Sequence, residues 1–398
     1  MKRGILIVLD SLGIGGAPDA KAYNDLGANT LGNIVSKCND GLACRGRSGN
    51  LNIPNLESLG IYKALEISMG QKNKLTKKPI IGGYAVATSQ SLGKDTPSGH
   101  WELVGKPVDI AWHYFSPKIP VFPPQKINKI IKEAEITGIL GDCHASGTEI
   151  IKKLGEKHIN TGRPIFYTSK DSVVQIAAHE NFFGLERLFK VCDIAARAFH
   201  PMGVCRIIAR PFIGDTKVGF QRTKNRKDFS IDPPHETLCD SVTEAGGTVW
   251  GIGKIGDIFS HRSVTTVLSN VTDAILFERL ILAMGEAKSG DLIFTNFVEF
   301  DTLYGHRRDV SGYASALERL DVGVPRLLSK MQKDDLLIIT ADHGNDPTAT
   351  GTDHTRECVP VLMFGNGIKK RSYGKINFSD VGKIMAKHLG INLMTETK

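Results

Sequence analysis

The chain has seven cysteines, an odd number with no CxxC spacing among them, so no disulfide scaffold organises its 398 residues. Reduced thiols in a cytoplasmic compartment are the simpler expectation. An apolar run of membrane-spanning length is also missing, so no membrane partner is expected. The amino-terminal run GILIVL, after Met1, Lys2 and Arg3, stops at Asp10 with no cleavage-like continuation, and reads as a buried strand rather than a signal peptide. Aromatic residues make up only 7%, and the densest basic run, Arg222, Lys224, Arg226 and Lys227, has Phe229 alone beside it. Without a stacking platform or a recognition module, the formal charge of +8 fits an anionic metabolite, and no nucleic-acid partner is expected. The glycines of DSLGIGG (10–16) do not make the GxGxxG dinucleotide fingerprint; they allow close backbone approach around Asp10. No obligate protein partner is evident.

What the chain does have is a set of short apolar runs, each ending in acidic residues. GILIVL leads into Asp10, DLIFTNF (291–297) into Glu299 and Asp301, and DLLIIT (335–340) into Asp342 and His343, with VPVLMFG (359–365) as a further strand. Such runs suit strands buried on both faces of a parallel sheet. Between them, 271–288 has amphipathic helical periodicity, and 311–332 has the same with a proline interruption. An open α/β fold follows, with ligands at the carboxyl ends of its strands. The middle of the chain has its own elements: a helical IKEAEITG region after Pro123 and Pro124, a strand at PIFYT (164–168), helices at 172–180 and 185–199, and a strand at 204–209. The expected organisation is a discontinuous core, 1–103 and 222–398, interrupted by an α+β cap, 104–221.

Three strand ends offer Asp10, Asp301, His306, Asp342, His343 and His354, enough donors for two metal ions with about three protein ligands each. Carboxylate and imidazole together favour manganese, zinc or iron over an all-oxygen calcium site. Paired metals can activate a nucleophile and neutralise phosphoryl oxygens during in-line transfer. GKDTPSGHWE (93–102) reads as a polar turn capping a helix that begins near Ser98; a hydroxyl there, such as that of Thr96, is equally a candidate nucleophile, and spacing alone does not decide.

Four stretches, LDSLGIGGAPDA (9–20), GKDTPSGHWE, FDTLYGHRRD (300–309) and TADHGNDPT with GTDHTRE (340–357), together resemble the bacterial phosphopentomutases of the alkaline phosphatase superfamily. The resemblance continues through ASGTEI (145–150), YTSKDSVVQIAAHE (167–180), RIIARPF (206–212) and GKIGDIF (253–259). It implies an alkaline-phosphatase-like core with an inserted cap, and interconversion of ribose or 2-deoxyribose 1-phosphate with the 5-phosphate. It further implies two manganese ions, one on Asp10, Asp342 and His343 and the other on Asp301, His306 and His354. Thr96 would carry the phosphoryl group, a pentose 1,5-bisphosphate would be the intermediate, and a sugar bisphosphate would be the activator. Ser146, Gly147, Arg206, Arg210 and Lys254 are the expected substrate contacts, a serine turn, surface arginines and an exposed lysine being the alternative. His100 neighbours the Thr96 loop and would orient it or a substrate phosphate. Within the superfamily, a cofactor-independent phosphoglycerate mutase or a metal-dependent phosphatase is the alternative activity; Thr96 in GKDT and the ASGTEI motif count against the former.

Overall fold

The computed structural model describes residues 2–393 apart from 73, 170–171, 269–271 and 366, so Lys170 and Asp171 of the YTSKDS stretch lie outside the described residues. In chain order the strands are β1 (Gly4–Leu9), β2 (Gly83–Thr88), β3 (Leu140–His144), β4 (Ile165–Thr168), β5 (Val173–His179), β6 (Arg206–Asp215), β7 (Gly219–Arg222), β8 (Lys227–Ser230), β9 (Val249–Ile252), β10 (Thr266–Leu268), β11 (Leu292–Phe297), β12 (Leu336–Thr340), β13 (Val359–Gly365) and β14 (Ser372–Asn377). They form two sheets in two compact units, Met1–Asp109 with Pro233–Lys398, and Ile110–Asp232.

The first unit holds an eight-stranded sheet in the order β10-β9-β11-β1-β12-β13-β2-β14, in which only β13 runs against the rest. β1 lies between β11 and β12, and every residue of the three is buried, as their unbroken apolar runs require of strands covered on both faces. Their parallel register brings the residues after Leu9, Phe297 and Thr340 to one edge of the sheet. The helix Val310–Lys330 is continuous through Pro325, where a break was expected. Proline removes the N–H that would reach the carbonyl four residues earlier. That carbonyl belongs to Asp321 and accepts instead from Asn55 Nδ2 at 3.0 Å.

The second unit is a mixed six-stranded sheet, β3-β4-β5-β6-β7 with β8 also on β6. Most of residues 172–180, expected to be helical, is instead the central strand β5, Val173–His179, buried throughout. The β-branched Val173, Val174 and Ile176 suit a strand, and the small Ala177 and Ala178 lie against the two apolar layers on opposite faces of the sheet. The helix before β3 is Pro124–Glu133; Glu135 turns left-handed, φ +54°, so the second half of IKEAEITG is not helical. β6 begins at Arg206 and runs to Asp215, longer than the expected strand at 204–209. The divisions between units fall later than 103 and 221. Val108 N donates to Ser91 Oγ at 2.9 Å and Leu238 N to Val104 O at 2.7 Å, tying 104–109 to the first unit, while β8 and the bond from Ile231 N to Cys205 O tie 222–232 to the second.

Candidate metal centre

Asp10 follows β1 directly, Asp342 and His343 follow β12, and Asp301 and His306 lie in and just after a wide helical turn, Phe300–Gly305, beyond β11. His354 returns on the loop after β12. Two groups result: Asp10, Asp342 and His343, and Asp301, His306 and His354, each with ligand atoms all within 4.8 Å of one another. The imidazole rings of His343 and His354 are 4.1 Å apart between centroids, so the groups adjoin.

Each carboxylate has one oxygen fixed by a protein donor. Ser11 N, at a left-handed φ of +73°, donates to Asp342 Oδ1 at 3.0 Å; Asn296 Nδ2 donates to Asp10 Oδ2 at 3.1 Å; Asn345 Nδ2 donates to Asp301 Oδ1 at 2.7 Å. The other oxygens of Asp10 and Asp342, and His354 Nε2, are buried and, among the described residues, make no well-formed hydrogen bond; they lie in ion-pair range instead, Asp342 Oδ2 3.2 Å and Asp10 Oδ1 3.5 Å from His343 Nε2, and His354 Nε2 3.4 Å from Asp301 Oδ1. His306 Nδ1 donates to Thr352 O at 2.6 Å, which turns Nε2 toward Asp301 Oδ2, 3.1 Å away. Orphaned donor atoms of this kind, oriented by their neighbours and converging on two points, fit two cations. Three carboxylates against two divalent charges would leave about one positive charge for an anionic ligand.

Electrostatics of the metal-free protein point the same way. Burial, with Asp342 and Asp301 nearby, pushes the Asp10 carboxyl well above the usual range. Burial would raise Asp342 too, but His343 and His100 outweigh it and hold it below. Burial lowers His343, yet Asp342 and Asp10 outweigh that and lift it to about 10. Asp301, against the same burial, is held well below its ordinary value by His354 and His306. The cluster therefore keeps protons where cations would sit, and metal binding at neutral pH should expel them. Calorimetric titration with Mn2+ in buffers of different ionisation enthalpy should show net proton release. The raised His343 pKa stabilises the metal-free fold below its unfolded value near 6.5, and that contribution is lost as pH rises through about 10. Metal-free melting temperatures should fall across that window; binding without proton release would contradict this arrangement.

Thr96 opens the helix Thr96–Leu103, two residues earlier than expected, with Asp95 as the cap accepting from Ser98 N at 3.1 Å. Its hydroxyl is 3.1 Å from His343 Nε2. Gly99 makes this approach available: a Cβ there would stand 2.1 Å from the Asp342 carbonyl oxygen, so the helix rests directly on the ligand's backbone. His100, fully buried, has Nδ1 2.9 Å from Thr96 O and 3.1 Å from Asp342 Oδ2, linking helix and ligand. Lys254, exposed before the helix Ile255–Ile258, lowers the Asp10 pKa through its charge.

The remaining expected contacts belong to the second unit. Arg206 and Arg210 lie on one face of β6, where Arg210 Nε donates to Gln175 Oε1 at 3.0 Å and Arg206 is 3.6 Å from Asp228. Gly147 opens the helix Gly147–Thr161, and a Cβ on it would meet Arg222 Nη2 and Tyr167 Oη at 1.8 and 2.3 Å. Ser146 precedes it, exposed and without a capping bond. Among the described residues the buried Arg206 Nε has no hydrogen-bond partner, and the buried Tyr167 hydroxyl faces the Arg222 guanidinium. Arg222, from the basic run, and Tyr167, from the YTSKDS stretch, thus lie beside Gly147, although neither was among the expected contacts. Nor was the anchoring role of Glu357, which accepts from Gly15 N, Thr30 N, Thr30 Oγ1 and Thr355 Oγ1 at 2.6–2.9 Å and is pushed by burial to about 7.

This α/β core with its paired donor groups is that of a metalloenzyme: the family model of the metalloenzyme superfamily matches residues 2–393. Phosphopentomutase of Agrobacterium fabrum is 52% identical over 98% of both chains, and that of Sinorhizobium fredii 51% over 98% of both. Phosphopentomutase of Chelativorans sp. is 51% identical over 98% of this chain and 96% of its own. The chain belongs to the phosphopentomutase family, enzymes of the isomerase class.

Proposed function

We propose that this chain interconverts ribose 1-phosphate or 2-deoxyribose 1-phosphate with the corresponding 5-phosphate by way of a phosphorylated Thr96. The observation that carries this reading is the hydroxyl of Thr96, at the start of a helix and 3.1 Å from His343 Nε2 in one of the two donor groups. Two divalent cations, in our reading manganese on Asp10, Asp342 and His343 and on Asp301, His306 and His354, would offset the charge of the phosphoryl oxygens. With ribose 5-phosphate, the bond from phosphorus to Thr96 Oγ1 breaks as a bond forms to the sugar's C1 oxygen; Thr96 regains a proton and the sugar becomes the 1,5-bisphosphate. In the return step Thr96 Oγ1 takes the 5-phosphoryl group, and the sugar C5 oxygen takes the proton. An enzyme that has lost its phosphoryl group to water would be recharged by a sugar bisphosphate, the expected activator.

The second unit is proposed to bind substrate. Arg206, Arg210, Ser146 and Gly147, joined by Arg222 and Tyr167, offer positive and donor groups suited to a distal phosphate, and the grouping of Arg210, Arg222 and Tyr167 near Gly147, with the unpartnered Arg206 Nε, supports it. Lys254 would serve as a further phosphate or hydroxyl partner. The seven free cysteines support a cytoplasmic enzyme, and no helix among the described residues is long and apolar enough to cross a membrane. Incubation of the manganese-loaded, bisphosphate-primed protein with ribose 5-phosphate should yield ribose 1-phosphate by phosphorus NMR without matching free phosphate. Net phosphate release would indicate a phosphatase instead; an unchanged spectrum would overturn the pentose assignment and direct the test to phosphoglycerate.

A further inference from the structure

Arg308 follows the wide turn that carries Asp301 and His306, and its backbone is left-handed, φ +55°, a conformation that a long side chain adopts only when its surroundings impose it. The surroundings are five acceptors. Nη1 donates to Gly305 O at 2.9 Å, to Asp346 O at 3.1 Å and to Asn345 Oδ1; Nε donates to Gly351 O at 2.8 Å, and Nη2 to Asp353 O at 2.9 Å. Four of these are carbonyls on two segments: the turn itself and the 346–353 stretch that leads into His354. A planar fork with five N–H groups satisfies such an array, and an ammonium does not.

The contacts converge on one of the two donor groups. Asn345 accepts from Arg308 through Oδ1 and donates through Nδ2 to Asp301 Oδ1 at 2.7 Å, so the guanidinium fixes which way the amide faces the carboxylate. Thr352, whose carbonyl receives His306 Nδ1, lies between the Gly351 and Asp353 carbonyls that Arg308 holds. His354 is the next residue after Asp353. Among the described hydrogen bonds, none joins Arg308 to Asp10, Asp342 or His343.

We propose that Arg308 is a positioning residue dedicated to one metal: it preassembles Asp301, His306 and His354 across two loops and so sets the affinity of that site alone. The inference rests on the two-metal reading given above. Orienting partners of this kind change metal affinity by about ten- to a hundredfold. Titration with Mn2+, counting free ion by its EPR signal, should show two tight ions in the wild-type protein. Arg308→Ala should keep one at wild-type affinity and weaken the other about ten- to a hundredfold, giving an isotherm like that of His306→Ala. Added guanidinium at millimolar concentration should restore the second ion in Arg308→Ala but not in His306→Ala. Arg308→Lys, which keeps the charge and loses the fork, should be weakened at the same single site and serves if the alanine variant does not fold. Two wild-type affinities in a folded Arg308 variant, or equal weakening of both sites, would overturn the proposal. Failure of the wild-type protein itself to take up a second ion would instead refute the two-metal reading beneath it, and the proposal with it.

Discussion

Thr96→Ala should lower the mutase rate by about 10^4-fold or more while leaving the fold intact. The expectation follows from what the substitution removes. A group that forms the covalent intermediate cannot be replaced by its neighbours, because the bond itself is lost rather than one interaction among several. The structural cost is small: Thr96 is only partly buried, and the cap of its helix is Asp95, whose bonds to Ser98 N and Oγ, at 3.1 and 3.0 Å, do not involve the threonine side chain. Stability should change by about 1 kcal/mol or less. Incubation with a sugar bisphosphate carrying labelled phosphate should label the wild-type protein at Thr96 and leave the alanine variant unlabelled. Thr96→Ser, which keeps a hydroxyl, should take label and retain part of the activity. An alanine variant with more than about a hundredth of wild-type turnover would show that the phosphoryl group is carried elsewhere.

Much of this centre could be seen in the sequence because its ligands stand where apolar strands end. GILIVL, LIFTNF and LLIIT are uncharged and buried throughout because both faces of their strands are covered, and a charged residue just past such a run has few places to be except a sheet edge. The residues that orient the ligands were harder to see. Asn345 and Arg308 look like ordinary loop residues, and their partners are fixed only once two loops from different strand ends have met. Asn296 did carry a signal: an amide in a buried strand is unfavourable unless something holds it, and near the end of β11 it is bonded to Asp10. The second unit misled for a different reason. Val173 to His179 has the alanines of a helix, but a central strand needs small residues where helices cross it, and tertiary packing overrode the local preference. Arg222 and Tyr167 reach Gly147 from separate strands, a convergence no local spacing encodes.

The Asp10→Asn variant should abolish activity and yet melt at a higher temperature than the wild-type protein when both are free of metal. Asp10 is buried beside Asp342 and Asp301, and in the absence of cations its charge is opposed by desolvation and by both neighbours. Its folded pKa is raised, so the folded state is penalised progressively as pH rises above the unfolded value of about 3.9. The amide is nearly the same size and carries no charge, and its oxygen can still accept from Asn296 Nδ2, now at 3.1 Å from the carboxylate. Relieving that penalty should raise the metal-free melting temperature at pH 7. Adding Mn2+ should reverse the order. Cations that bind the folded wild-type chain stabilise it in proportion to the logarithm of their concentration over the dissociation constant, whereas the variant has lost a charged ligand and gains less. Turnover should fall by about 10^3-fold or more, since in the proposed two-metal reading that charge would hold a cation at the reacting phosphoryl group. The crossing of the two melting curves is the decisive feature. A carboxylate that destabilises the empty protein and stabilises the loaded one is what Asp10, alone of the three in having its pKa raised, should be if it is held for a cation, and a variant that melts lower with and without metal would mean that Asp10 is held by the fold for its own sake.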